Sequence, residues 1–187
     1  MSQMTDPQTF SSAAPSWHDF YLLCGGAAAT LAGLMFVAVT FGASLVNDEN
    51  AATMRAFVDP PLFHFMHVIT TACVFVMPSM SPTVFGALIL AGAGARSLGL
   101  AWVYRHYRRA HKERGDMEAS DWLIGIVLPG ISFALLMLGG IGLLVGLGPS
   151  LTIVAGATLA VLIIGMRSAW ELMLWLVAEV GRRDKSP

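Results

Sequence analysis

The chain has 187 residues, 56% of them hydrophobic and 12% charged. Soluble domains carry about 25% charged residues, so this composition excludes an ordinary water-soluble core and fits one polytopic membrane unit. The formal charge of −1 says little, because its distribution along the chain matters more than its sum.

Residues 1–16 are polar, contain Pro7 and Pro15, and carry no Lys or Arg. A secretory signal needs a basic segment before its apolar run. The stretch therefore reads as a flexible tail ahead of an uncleaved first helix. Helix 1 is expected over residues 20–46, with Trp17, Phe20 and Tyr21 as an interfacial aromatic anchor. Cys24 here and Cys73 further on lie in apolar segments without a CxxC spacing, which reads as two packed thiols. Gly25, Ala29 and Gly33 are four apart, a small-residue row of the kind that lets a second helix backbone approach closely.

A polar connector with Asp48, Glu49, Arg55 and Asp59 follows. Pro60 and Pro61 suit a helix start, so helix 2 is expected over residues 61–80. Residues 78–82 read as a tight turn that makes helices 2 and 3 antiparallel neighbours. Helix 3 is expected over 83–104, with Ala91, Ala95 and Gly99 as a second small-residue row. The connector at 104–114 carries Arg105, Arg108, Arg109, Lys112 and Arg114. Ser120 or Asp121 can cap helix 4, expected over 122–147 with a kink at Pro129. A short turn at 148–150 leads into helix 5, expected over 151–180, and a basic tail at 182–187.

The fold class is therefore all-α: one domain at residues 17–181, a bundle of five transmembrane helices. Its direction follows from the basic residues. Arg55, the five of the 104–114 connector, and Arg182, Arg183 and Lys185 make nine on one side, while the N-terminal tail and the two tight turns carry none. Lys and Arg concentrate in cytoplasmic loops, so the N-terminus is expected outside and the C-terminus inside. The membrane implied is the plasma membrane, in bacteria the inner one.

Polar residues within the spans are the candidates for chemistry. His64, His67 and Thr71 share one face of helix 2. Arg96 lies on helix 3, and Arg167 and Glu171 are four apart on helix 5, spaced to pair. At 1.5 Å per residue, the histidines lie roughly 5–9 Å, and Arg96 roughly 12 Å, from the inner helix ends. All therefore fall in the cytoplasmic half, where an unpaired arginine costs at least ~2.5–3.5 kcal/mol. Each also has a plain structural account. Arg167 and Glu171 can snorkel beside Trp170 and Trp175, and the histidines can be satisfied core groups. Arg96 is expected to face protein or a wet cavity, within reach of Glu171 or the His pair.

Gly140, Gly142 and Gly146 resemble a dinucleotide-type glycine run, but without a βαβ setting they read as helix-packing residues. No catalytic set is legible, so the chain is not expected to be an enzyme, and no cofactor is expected. His64 and His67 lack an obvious third ligand, so neither a metal nor a haem is assigned. The basic connector suits anionic lipid headgroups at the inner face rather than nucleic acid. The leading expectation is a transport or pore-type protein using the inner-half polar site. The alternative is a non-catalytic accessory or scaffold subunit, and the small-residue rows suit a homo-oligomer or a partner membrane protein.

The topology is testable with single cysteines at Ser12 and Ser186 in a background lacking Cys24 and Cys73. On whole cells an impermeant thiol reagent should label position 12 and not 186. Labelling of 186 alone would reverse the orientation.

Overall fold

The computed structural model describes residues 7–42, 51–78, 80–111 and 123–183. All of the regular structure there is helical. α1 spans Pro7–Gly42, α2 Ala51–Val76 and α3 Pro82–His111. A π-helical turn at Leu123–Val127 leads into α4, Leu128–Val145, and α5 spans Ser150–Arg183. The 43–50 connector with Asp48 and Glu49, Lys112 and Arg114, the Ser120 and Asp121 caps, and Lys185 lie outside the described residues.

Three of the helix starts differ from the sequence expectation, and each involves proline. α1 begins at Pro7 and carries Pro15 within it, so much of the segment read as a flexible tail is helix. α2 begins at Ala51 and passes through Pro60 and Pro61. Two prolines deprive the carbonyls four residues earlier of their helical donors. That loss is tolerable near this end, where Asp59 and Pro60 are exposed and water can take the place of the missing N–H groups. Pro129, the expected kink position, coincides with a change of helix type. α4 opens at Leu128, with Pro129 in its first turn, directly after the π-helical turn. Proline cannot bond the carbonyl four residues back and its ring collides with it, and the wider π turn relieves both demands.

Each helix runs antiparallel to its sequence neighbours. Tyr21 of α1 stacks on Phe75 of α2 at 4.2 Å between centroids, and Phe75 meets Phe85 of α3 at 5.2 Å. These three rings close the bundle at the end that carries the two short turns. Tyr21 is fully buried there, not an interfacial anchor. At the other end Gly42 of α1 lies against Leu176 of α5, and Gly165 of α5 lies against His64 and Phe65 of α2.

The order around the bundle is α1, α2, α5, α4, α3. α2 and α3 are joined by a tight turn yet barely pack, because α3 docks on α4 instead. A Cβ at Gly86 would stand 2.9 Å from the Gly140 carbonyl oxygen, and one at Gly140 would stand 2.9 Å from Leu90 Cγ. Backbones this close need glycine on both sides. Gly139 meets α5 at Val154, and Gly142 meets Ser150. Gly146 ends α4 with φ 78°, its N–H bonded to the Gly142 carbonyl, a left-handed cap that suits glycine.

The rows expected to pack behave differently. Gly25 does approach α2, with its Cβ position 2.8 Å from Ala72 Cβ, but Gly33 and Gly99 face open space. Ala29, Ala91 and Ala95 are exposed. Within one chain these rows are outward surface, because the rotation of each helix is set by the glycines that do touch.

Large apolar side chains cover that outer surface, with Leu23 and Leu98 each 74% exposed and Phe41 80%. A soluble monomer does not present so continuous an apolar exterior. Among the described residues four segments are long and apolar enough to cross a membrane: Pro15–Gly42, Pro82–Ala101, Gly125–Val145 and Ser150–Gly181.

The glycine contact gives a paired prediction. Gly140→Val should lower stability by roughly 1–3 kcal/mol through overpacking, while Gly33→Leu should leave the melting temperature of the detergent-purified monomer unchanged. Equal losses for both would contradict the packing described.

Candidate functional site

The loose α2–α3 seam is where the polar residues gather. His64 and Phe63 on α2, Arg96 on α3 and Phe133 on α4 meet there, with His67 one turn further along α2. Phe133 is the hub. It is 1% exposed, lies 6.1 Å from the His64 ring in a stacked arrangement, and meets the His67 ring edge-on at 5.2 Å. The Arg96 guanidinium carbon sits 4.5 Å above the Phe63 centroid and 6.0 Å from that of Phe133. Such a placement over an aromatic face is worth about 0.5–1 kcal/mol when exposed and about 2 when desolvated.

The levels agree with the helix register. Counted from the turn end at 1.5 Å per residue, Arg96 is about 21 Å along α3 and His64 about 18 Å along α2. Gly92 is one turn above Arg96 and faces His67: a Cβ there would stand 3.4 Å from His67 Cε1. Phe63 is one turn from His67 on the same face, which brings it level with Arg96.

What these groups lack is as informative as what they touch. Both ring nitrogens of His64, Nε2 of His67 and Nε of Arg96 are buried without a hydrogen-bond partner. Arg96 has no carboxylate partner among the described residues. Buried polar groups are usually satisfied, so four orphan nitrogens in one seam call for an explanation.

Not every expected residue joins this cluster. Thr71 is buried one turn further along the seam. Arg167 and Glu171 stay apart: Arg167 Nε donates to Glu171 Oε1 at 3.1 Å along α5, with their side chains 56% and 38% exposed. An exposed i,i+4 pair of this kind contributes about 0.3–0.5 kcal/mol. Glu171, expected within reach of Arg96, is thus held by Arg167, which borders an apolar groove between α1 and α5. Among the described residues no group of three His, Cys, Asp or Glu side chains is spaced for a metal ion.

Phe63 and Phe133 were not singled out from the sequence. Phe63 carried a signal, since it is four residues before His67. Phe133 carried none, because nothing in its spacing links α4 to the α2 face.

No protein-family model, curated protein or solved structure matches this chain. Its class therefore follows from the fold alone: the described residues are all-helical, with several helices able to span a membrane, as in a multi-pass membrane protein.

The contacts make a double-mutant cycle decisive. Arg96→Leu and Phe63→Leu should couple by about 0.5–2 kcal/mol in thermal unfolding, whereas Arg96→Leu and Glu171→Leu should add independently. Coupling to Glu171 without coupling to Phe63 would overturn this geometry.

Proposed function

We propose that this is a small multi-pass protein of the plasma membrane whose α2–α3–α4 seam serves transport or a pore. Five spans, an outside N-terminus and an inside C-terminus complete the reading. α2 is counted as a span because its buried face takes up His64 and Thr71, while Met66 and Met77 face out. Its average apolarity is therefore lower than that of the face it would show to lipid. The nine-to-zero division of basic residues supports this direction, in which His64 and Arg96 lie in the cytoplasmic half.

The observation that carries the transport reading is the set of unpartnered nitrogens on His64, His67 and Arg96. An intramembrane ionisable residue is expensive, and its pairing groups here are aromatic faces rather than a carboxylate. Such a site costs stability without improving packing, which fits a role in engaging something that passes through. No catalytic role is proposed.

A second reading, an accessory or scaffold subunit, is favoured by the outer surface. An apolar groove of about 920 Å³ runs between α1 and α5, bordered by Leu31, Met35, Ile163 and Met173. The outward Gly33, Ala91, Ala95 and Gly99 would let another membrane helix, from a second copy or a different protein, come close.

Flux through liposomes containing only this protein separates the two. Proton, potassium, chloride and nitrate movement should be assayed in parallel, and at least one should exceed empty liposomes. Arg96→Leu should abolish that flux while the protein still melts cooperatively. Correctly folded wild-type protein that moves none of them would leave the accessory reading in its place.

A further inference from the structure

Between α2 and α3 lies a cavity of about 90 Å³, bordered by His67, Thr70, Thr71, Ile89 and Gly92. Gly92 is about 15 Å along α3 from its start, half the thickness of a roughly 30 Å hydrocarbon core. The cavity therefore sits near mid-membrane, with Arg96 one turn below it.

Its size limits the occupant. A water molecule's share of liquid is about 30 Å³, so the space holds about three waters, or one small ion with a water. An organic solute does not fit.

Its chemistry sets the sign. Thr70 donates its hydroxyl to the Met66 carbonyl at 2.8 Å and is spent. Thr71 makes no hydrogen bond among the described residues, so its hydroxyl is free to donate. His67 turns its Nδ1–Cε1 edge towards Gly92, 3.8 and 3.4 Å from where a Cβ would stand, and its Nε2 is without a partner. The permanent charge nearby is Arg96, and no carboxylate borders the cavity. Hard cations need a shell of oxygen ligands, carboxylates above all. A cation would meet two threonine hydroxyls and no carboxylate here, with a guanidinium one helical turn away.

We propose that this cavity binds one small monovalent inorganic anion, of halide or nitrate size. His67 and Thr71 donate to it and Arg96 supplies the countercharge. The proposal deepens the transport reading by naming the ion class, but binding stands whether or not the ion crosses. A single guanidinium balances one negative charge, which disfavours sulfate and other divalent anions. Gly92 matters because a side chain there would occupy the space the ion needs.

The test is thermal unfolding of the detergent-purified full chain at constant ionic strength. Chloride, bromide and nitrate should each replace gluconate with a saturable rise in melting temperature, and sulfate should not. Arg96→Gln should weaken the half-saturating concentration by about tenfold or more, since bonds to charged groups contribute about 1.5–3 kcal/mol. Thr71→Val and Gly92→Val should also reduce the response, and they decide the matter if Arg96→Gln does not fold. Equal melting in chloride and gluconate would overturn the proposal. So would a wild-type response in the folded variants, or a stabilisation that follows sodium or potassium instead of the anion. The two readings fail separately. Saturable anion stabilisation with no flux removes transport and leaves the anion site. Flux without anion-specific stabilisation removes the anion site and leaves transport.

Discussion

The close approach of Gly86 to Gly140 decides what the α2–α3 seam can be. With α3 fixed against α4 by backbone-to-backbone contact, it has no second face with which to zip onto α2. The two helices are tied by a short turn and share the Phe75–Phe85 contact at that end, then separate. Had α3 packed fully on α2, His67 and Arg96 would have been driven against apolar side chains. The seam instead leaves space beside Gly92 and a flat aromatic bed for the guanidinium. α4 thus shapes the site twice, by positioning α3 and by supplying Phe133.

Much of this architecture was readable from composition and spacing. Helix number follows from apolar run length, and antiparallel order from the brevity of the turns. The shared face of His64, His67 and Thr71 follows from the 3.6-residue period. Arg96 stood out because arginine is costly at its depth. What was not readable is helix rotation. Gly25, Ala29 and Gly33 repeat as regularly as any packing row, but only Gly25 meets a neighbour; the other glycines in close contact, among them 42, 86, 139, 140, 142 and 165, form no such repeat. A repeat specifies a face, and only tertiary contact specifies which way that face turns. The prolines misled for a related reason. Their local preference for helix starts is real, but Pro15, Pro60 and Pro61 sit inside helices, where tertiary packing or nearby water can offset the lost bonds.

The same distinction between an average and a face applies to α2. Length and composition single out four segments as able to span, and α2 is the helix left aside. It carries two histidines, three threonines, Asp59 and two prolines, which dilute a mean taken around the whole circumference. In the proposed five-span reading lipid does not sample that mean; it meets only the exposed side, where Met66, Cys73 and Met77 lie. Inside, Phe65, Val68, Ala72 and Phe75 are buried against α1, α3 and α5. A polar helix at the centre of an apolar bundle is what a membrane protein needs if it is to hold anything hydrophilic, because the flanking helices can then remain hydrophobic.

Arg96 shows how such a helix sets the chemistry of its neighbour. An ion pair with a carboxylate would have neutralised the guanidinium and repaid part of its desolvation. It would also have closed the seam to any other negative charge, since a fixed acid competes at zero distance from its base. Aromatic faces hold the cation differently. Their quadrupole attracts it but does not cancel its charge, so the field beyond the rings persists in a region of low dielectric. Phe63 and Phe133 therefore keep Arg96 in place while leaving its charge available one turn away, beside Gly92 and His67. Glu171 on α5, the acid expected within reach of Arg96, is bound to Arg167 instead. That separation of the two arginines, one paired with a carboxylate and one held on aromatic faces, is the feature on which the proposed site rests.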